Sequence, residues 1–124
     1  MKDLAQHDVT TYRWDDIPVE PLNELLSRKI ISGDRTMLAH IFLKKGCVVP
    51  AHSHDNEQMT YVISGALLFT VNGRKILLKA GEVMHIPSNV VHAAEAVEDT
   101  LDMDVFCPPR QDWLDKTDAY LRGK

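Results

Sequence analysis

His52, His54, Gln58 and His92 are the residues of this chain best suited to chemistry. The first three belong to the block Gly46-Cys-Val-Val-Pro-Ala-His52-Ser-His54-Asp-Asn-Glu-Gln58, which closes at Gly65. The fourth ends a second block, from Gly81 through Pro87 and Asn89 to His92. Residues two apart on a strand project from one face, so His52 and His54 share a face, and Gln58 keeps that parity on a regular strand. Neutral imidazole is the commonest protein ligand for mid-sized divalent ions, so this set predicts a metal site. All four side chains are uncharged, which would leave the ion its full positive charge. That favours Lewis acidity toward a carbonyl or enol oxygen, and it favours an anionic ligand. Glu57 has the wrong parity to replace Gln58 without a bulge. His7, His40 and His85 lack ligand spacing and read as ordinary core or surface groups.

The elements that must position these residues read as β. Residues 1–20 are polar with scattered aromatics, and form an irregular lead-in with at most one edge strand. Ser27 to Ile31 reads as a strand ended by Ser32-Gly33-Asp34. Thr36 to Lys44 is a second, with Leu38, His40 and Phe42 on one face and Met37, Ala39, Ile41 and Leu43 on the other. Met59 to Ile63 and Ala66 to Val71 flank Ser64-Gly65. Asn72-Gly73 is a hairpin turn because both residues accept positive φ, and Arg74 to Lys79 returns. Glu82 to Ile86 precedes the Pro87-Ser88-Asn89 turn. Short strands at this interval predict an antiparallel barrel or sandwich. Asp112 to Arg122 reads as one or two helical turns, with Trp113, Leu114, Thr117, Tyr120 and Leu121 on a stripe that packs against the barrel or a second subunit.

The two blocks resemble the paired motifs of the cupin superfamily. The first motif, Gly, five residues, His-x-His, three or four residues, Glu, six residues, Gly, is matched by Gly46, His52, His54 and Gly65, with Gln58 at the Glu position. The second is matched by Gly81, Pro87 and His92. Asn89 replaces a glycine, a mild change because Asn tolerates left-handed backbone, and Ala96 replaces an asparagine that is not a ligand. The resemblance implies an all-β double-stranded β-helix, the cupin jelly-roll barrel, with a short C-terminal helix. Its organisation would be one domain over 1–124, with a barrel core at about 34–107, the lead-in at 1–20 and a helical tail at 111–122. It implies one divalent transition metal ion, Zn, Ni, Fe, Mn or Cu, and a homodimer.

In Leu101-Asp102-Met103-Asp104-Val105-Phe106, alternation puts Asp102, Asp104 and Phe106 on one face. Periodicity alone fits a strand whose acidic face is solvated. The continuation through Cys-Pro-Pro to Arg110 resembles the closing segment of the pectin-degradation cupins that act on unsaturated uronates, a group that also carries Gln in the fourth ligand place. The resemblance implies metal ligands at His52, His54, Gln58 and His92, and catalytic or pocket roles for Asp104, Phe106 and Arg110. Asp104 would be a general acid/base, its pKa raised by burial. Arg110 would sit at the mouth and hold a substrate carboxylate with its fork. Phe106 would stack on a sugar face or wall off water.

Composition narrows the partners. The chain has 124 residues and a net charge of −4, which argues against nucleic acid or anionic membrane as the main partner. No apolar run approaches a membrane span, and the N-terminus lacks the apolar core of a signal peptide, so a cytoplasmic location is expected. Cys47 and Cys107 form no C-x-x-C and are expected as reduced thiols, though the sequence does not exclude a disulfide. The resemblance to the pectin-degradation cupins implies metal-dependent conversion of 4,5-unsaturated uronates, carboxylated sugars, to linear 5-keto-4-deoxyuronates. The alternatives are a mononuclear metal dioxygenase, using Fe, Mn or Cu, and a non-catalytic small-molecule-binding cupin.

Overall fold

The structure is a computed structural model that describes residues 8–122. Ten strands form two antiparallel sheets facing each other. In chain order they are β1 (Glu20–Asn23), β2 (Leu26–Ser32), β3 (Met37–Leu43), β4 (Val48–His52), β5 (Glu57–Ser64), β6 (Ala66–Val71), β7 (Arg74–Lys79), β8 (Val83–Ile86), β9 (His92–Ala96) and β10 (Thr100–Cys107). The six-stranded sheet runs β1-β2-β3-β10-β5-β8 and the four-stranded sheet β4-β9-β6-β7. This is the expected jelly-roll barrel. The edge strand β1 falls at the end of the lead-in; before it, the described chain makes only a 3-10 turn at Trp14–Asp16.

Strand alternation builds the interior. Met37, Ala39, Ile41 and Leu43 of β3 are buried, and with Val62, Leu67, Phe69 and Leu78 they form the core between the sheets. Burying each large apolar side chain stabilises the fold by roughly 1.5–3 kcal/mol. The Asn72-Gly73 hairpin has positive φ at both residues, as its sequence requires. Gly65 serves a tighter purpose: at φ +93° its Cα lies against the β9–β10 connection, where a Cβ would stand 2.3 Å from the Asp99 carbonyl oxygen. Pro50 is tolerated in β4 because that strand lies at a sheet edge. Cys47 is buried and Cys107 exposed, and both are free thiols. Among the described residues, no helix is long and apolar enough to cross a membrane.

The C-terminal tail makes short helical turns as expected, but its apolar residues do not share one stripe. It holds one short helix, α1 (Gln111–Leu114), and a 3-10 turn at Ala119–Leu121, separated by Lys116 at φ 59°. Trp113 and Leu121 are buried in the core, whereas Leu114 points to solvent.

Candidate functional site

His52 and His92 are direct register partners in the β4–β9 pairing, where an irregularity after Val49 lets the two rings approach to 4.3 Å between centroids. His54 does not lie on the same strand. β4 ends at His52, and the chain then crosses to the other sheet through residues 53–56, so His54 sits in the crossing and Gln58 at the start of β5. The parity argument for a regular strand therefore fails; the four side chains meet because the crossing wraps around the space between the sheets. Two bonds hold this crossing to the second block: the Asn89 backbone N–H donates to the His54 carbonyl at 2.8 Å, and Ser88 Oγ donates to that of Asp55 at 2.7 Å. Asn89 takes the left-handed backbone, φ 66°, that its replacement of a glycine demands.

The three imidazoles are oriented alike. Each Nδ1 is bonded to a backbone carbonyl: His52 to Pro50 at 2.7 Å, His54 to Asn56 at 3.0 Å, His92 to Val90 at 2.8 Å. That bond places the proton on Nδ1 and leaves the Nε2 lone pair as the ligating group. The ligand atoms of the three rings lie within 4.8 Å of one another, and Nε2 of His54 and of His92 are buried without a hydrogen-bond partner. Buried polar atoms are nearly always paired, so two orphaned lone pairs converging on one point fit a divalent ion. Burial pushes His52 and His54 down to about 4, with the neighbouring imidazoles and the Arg110 charge adding to it, and lowers His92 as well. All three are neutral at pH 7, the state a metal ligand needs. Gln58 is buried beside these rings, and its Nε2 donates to Thr60 Oγ1 at 2.8 Å.

The acidic face of β10 turns inward rather than to solvent. Thr100, Asp102, Asp104 and Phe106 are all buried. Asp104 lies between Ala39 of β3 and Thr60 of β5, the small Ala39 leaving it room. Thr60 Oγ1 accepts from Gln58 and donates to Asp104 Oδ1 at 2.7 Å, so one hydroxyl joins the expected ligand to the expected acid/base. Burial pushes Asp104 up to about 6, against the hydrogen bonds of Thr60 and Asp102 and the Arg110 charge. Asp102 is bonded to Asp104; burial first, and then its neighbour's negative charge, holds its carboxyl well above the ordinary carboxylate range. Two buried carboxyls in contact cannot both ionise cheaply, so at neutral pH the pair retains a proton.

A single cavity between the sheets is lined by His52, Gln58, Thr60 and His92 on one side and by Asp102 and Asp104 on another. Phe106, Arg110 and Tyr120 close it. Phe106 meets His54 edge-on at 5.8 Å and Trp113 at 5.0 Å, with the Arg110 guanidinium 5.2 Å from its centre, so it is a wall of the cavity. Arg110 is not a free fork at the mouth. It is buried, stacked over Trp113 at 4.8 Å, and its Nε and Nη2 donate to Asp112 at 3.0 and 2.8 Å. Nη2 also donates to the Tyr120 hydroxyl at 2.8 Å.

Thr60, Asp102 and Tyr120 were not singled out from the sequence. Strand parity with Gln58 and Asp104 carried a signal for the first two; the helical stripe assigned Tyr120 to packing. Two other histidines lie apart: His40 stacks on Trp14 at 3.7 Å and His85 bonds the outward-facing Glu57 at 2.7 Å. His7 is outside the described residues.

A jelly-roll barrel with three inward histidines defines a class, and comparison with known proteins agrees with it. The model of the cupin domain matches residues 39–108, more than half of the chain, which therefore belongs to the cupin domain family. The pectin degradation protein KdgF of Dickeya dadantii is 32% identical over 103 residues, spanning 81% of this chain and 94% of that protein. Among solved structures, KdgF from a Halomonas species is similar with a TM-score of 0.79 and 28% identity, over 84% of this chain and 99% of that one. An RmlC-like cupin from Shewanella frigidimarina reaches a TM-score of 0.79 at 25% identity, over 86% and 96% of the two chains.

Proposed function

We propose that this protein is a metal-dependent enzyme that converts a 4,5-unsaturated uronate to the linear 5-keto-4-deoxyuronate. The observation that carries the reading is the Gln58–Thr60–Asp104 hydrogen-bond chain, which ends on a buried carboxyl and lines one cavity together with His52 and His92 of the three-histidine cluster. The likeness to a protein named for pectin degradation supports the substrate class.

The reaction is an isomerisation. The bond between C1 and the ring oxygen breaks, the C1 hydroxyl loses its proton and becomes the aldehyde, and the enol left at C5 gains a proton at C4 to become the ketone. Each part needs a proton donor or acceptor that excludes water. Asp104, pushed up to about 6, can take a proton and return one near neutral pH. Asp102 keeps a second proton beside it, and Thr60 fixes its orientation. Phe106 and Trp113 pack edge-on and give the cavity an apolar wall. His52, His54, His92 and Gln58 would hold the divalent ion, whose Lewis acidity favours negative charge on a substrate oxygen.

The test is incubation of the protein, loaded in turn with Zn, Ni, Fe, Mn or Cu, with the unsaturated monosaccharide, the product being identified by proton NMR. The linear keto acid is the expected product. Oxygen uptake with Fe(II) and no keto acid would favour the dioxygenase alternative instead.

A further inference from the structure

We propose that Tyr120, on the C-terminal tail, is a substrate-binding residue of this cavity, its hydroxyl donating a hydrogen bond to the carboxylate of the bound sugar acid. The inference rests on the sugar-acid reading above and adds the residue that selects for the acid.

The Nε and Nη2 edge of Arg110 is committed to Asp112 and the other Nη2 hydrogen goes to Tyr120, so a substrate carboxylate could take two bonds from Arg110 only by displacing one of these partners. Its remaining polar contact is donation from Nη2 to the Tyr120 oxygen. A phenol oxygen that accepts from a guanidinium keeps its own proton to give, and the adjacent positive charge makes that proton a better donor to an anion. The Tyr120 ring lies 4.7 Å from the His52 ring and lines the same cavity as His92 and Asp104. Two groups of side chains line it: Tyr120 with its contacts Arg110 and His52, and the pair Asp102 and Asp104. A carboxylate is repelled from the second and accepted at the first, which leaves the carbons and hydroxyls of the sugar beside Asp104.

The position of Tyr120 is fixed from both sides. Asp118 is ion-paired to Arg28 at 2.6 Å, and Leu121 is buried in the core with its carbonyl accepting from Asn23 Nδ2 at 3.0 Å. A donor held this firmly loses little entropy on binding. The plainer role for the hydroxyl is to fasten the tail to Arg110. Yet the tail is already fastened at 118 and 121, so the Tyr120–Arg110 bond is not needed for that.

Tyr120→Phe keeps the ring and removes the donor. On metal-loaded protein turning over the unsaturated uronate, KM is expected to rise about ten- to a hundredfold, with kcat within about threefold and the melting temperature unchanged. A KM within about threefold of wild type overturns the proposal, as does a fall in melting temperature of several degrees accompanying loss of activity, which would mark a tail anchor. Should the wild type leave the uronate unchanged, the reaction assigned above fails by itself. The same two proteins are then titrated by calorimetry with D-galacturonate and with uncharged D-galactose. Galacturonate binding that is at least about tenfold tighter in the wild type than in Tyr120→Phe, with galactose indifferent to the change, sustains Tyr120 as the carboxylate donor. Equal galacturonate binding in the two proteins, or none, overturns it.

Discussion

Arg28 and Asp118 stand 90 residues apart in the chain and form a 2.6 Å ion pair whose two side chains are wholly buried. Glu20 accepts from Arg28 Nε at 3.0 Å, Arg122 bridges Asp118 and Glu20, and the Arg28 guanidinium lies 4.4 Å from the centre of the Trp113 ring. This network ties the first two strands to the tail that closes the cavity. Removing one partner of a buried pair costs about 3–5 kcal/mol, and Arg28 would keep only the partly exposed Glu20 to balance its charge. Asp118→Ala should lower unfolding free energy by about that much in urea denaturation, and should weaken substrate binding by loosening Tyr120 and Trp113. A loss below about 1 kcal/mol would show that the pair does not anchor the tail.

Metal removal should destabilise the fold. The histidines come from β4, the crossing and β9, so a bound ion joins segments that only folding brings together. Adding a chelator to protein shown to be metal-loaded should lower the melting temperature. His52→Ala should abolish most of the difference between chelated and unchelated samples. Coincident wild-type melting curves would mean that the cluster binds no ion of structural consequence.

The Asp102–Asp104 pair should make stability fall as pH rises. Burial raises both folded-state pKa values above the roughly 3.9 of an unfolded aspartate, Asp104 to about 6 and Asp102 in the same direction. Below about pH 4 both states are protonated and nothing is lost. Above it the unfolded chain ionises freely while the folded pair resists, so stability declines through pH 6 and beyond. Asp102→Asn removes part of this cost. With chelator in both samples, that variant should be more stable than wild type at pH 7.5, and the gain should shrink toward pH 4. An advantage independent of pH, or none at all, would place the resting proton elsewhere.

The barrel and the convergence of His52, His54 and His92 were legible in the sequence because both rest on local rules. The alternation of β3, the Asn72-Gly73 hairpin and the spacing of His52 from Gly46 each depend on a few neighbouring residues. Inward placement of Asp102 and Asp104 was legible as parity but not as direction, because a strand's period does not say which face is wet. The location of His54 on a crossing between sheets, rather than on a strand with His52, depended on where β4 stops. The part played by Tyr120 was hidden because it follows from Arg28–Asp118 pairing across the length of the chain, and from Asp112 occupying the Arg110 fork. Neither contact leaves a periodic trace.

In the proposed reaction Asp104, beside a metal held by His52, His54, His92 and Gln58, moves protons on an unsaturated uronate. The most direct measurement is the rate at which the ultraviolet absorbance of the 4,5 double bond disappears, compared among metal-loaded wild type, chelated wild type and metal-loaded Asp104→Asn. The first should run well above the uncatalysed background, with a large loss on chelation. A fall in kcat of about a hundredfold or more is expected for Asp104→Asn, with KM changed by less than tenfold, as removal of a general acid/base requires. A wild-type rate equal to background with every candidate metal, or an Asp104→Asn variant as fast as wild type, would contradict it.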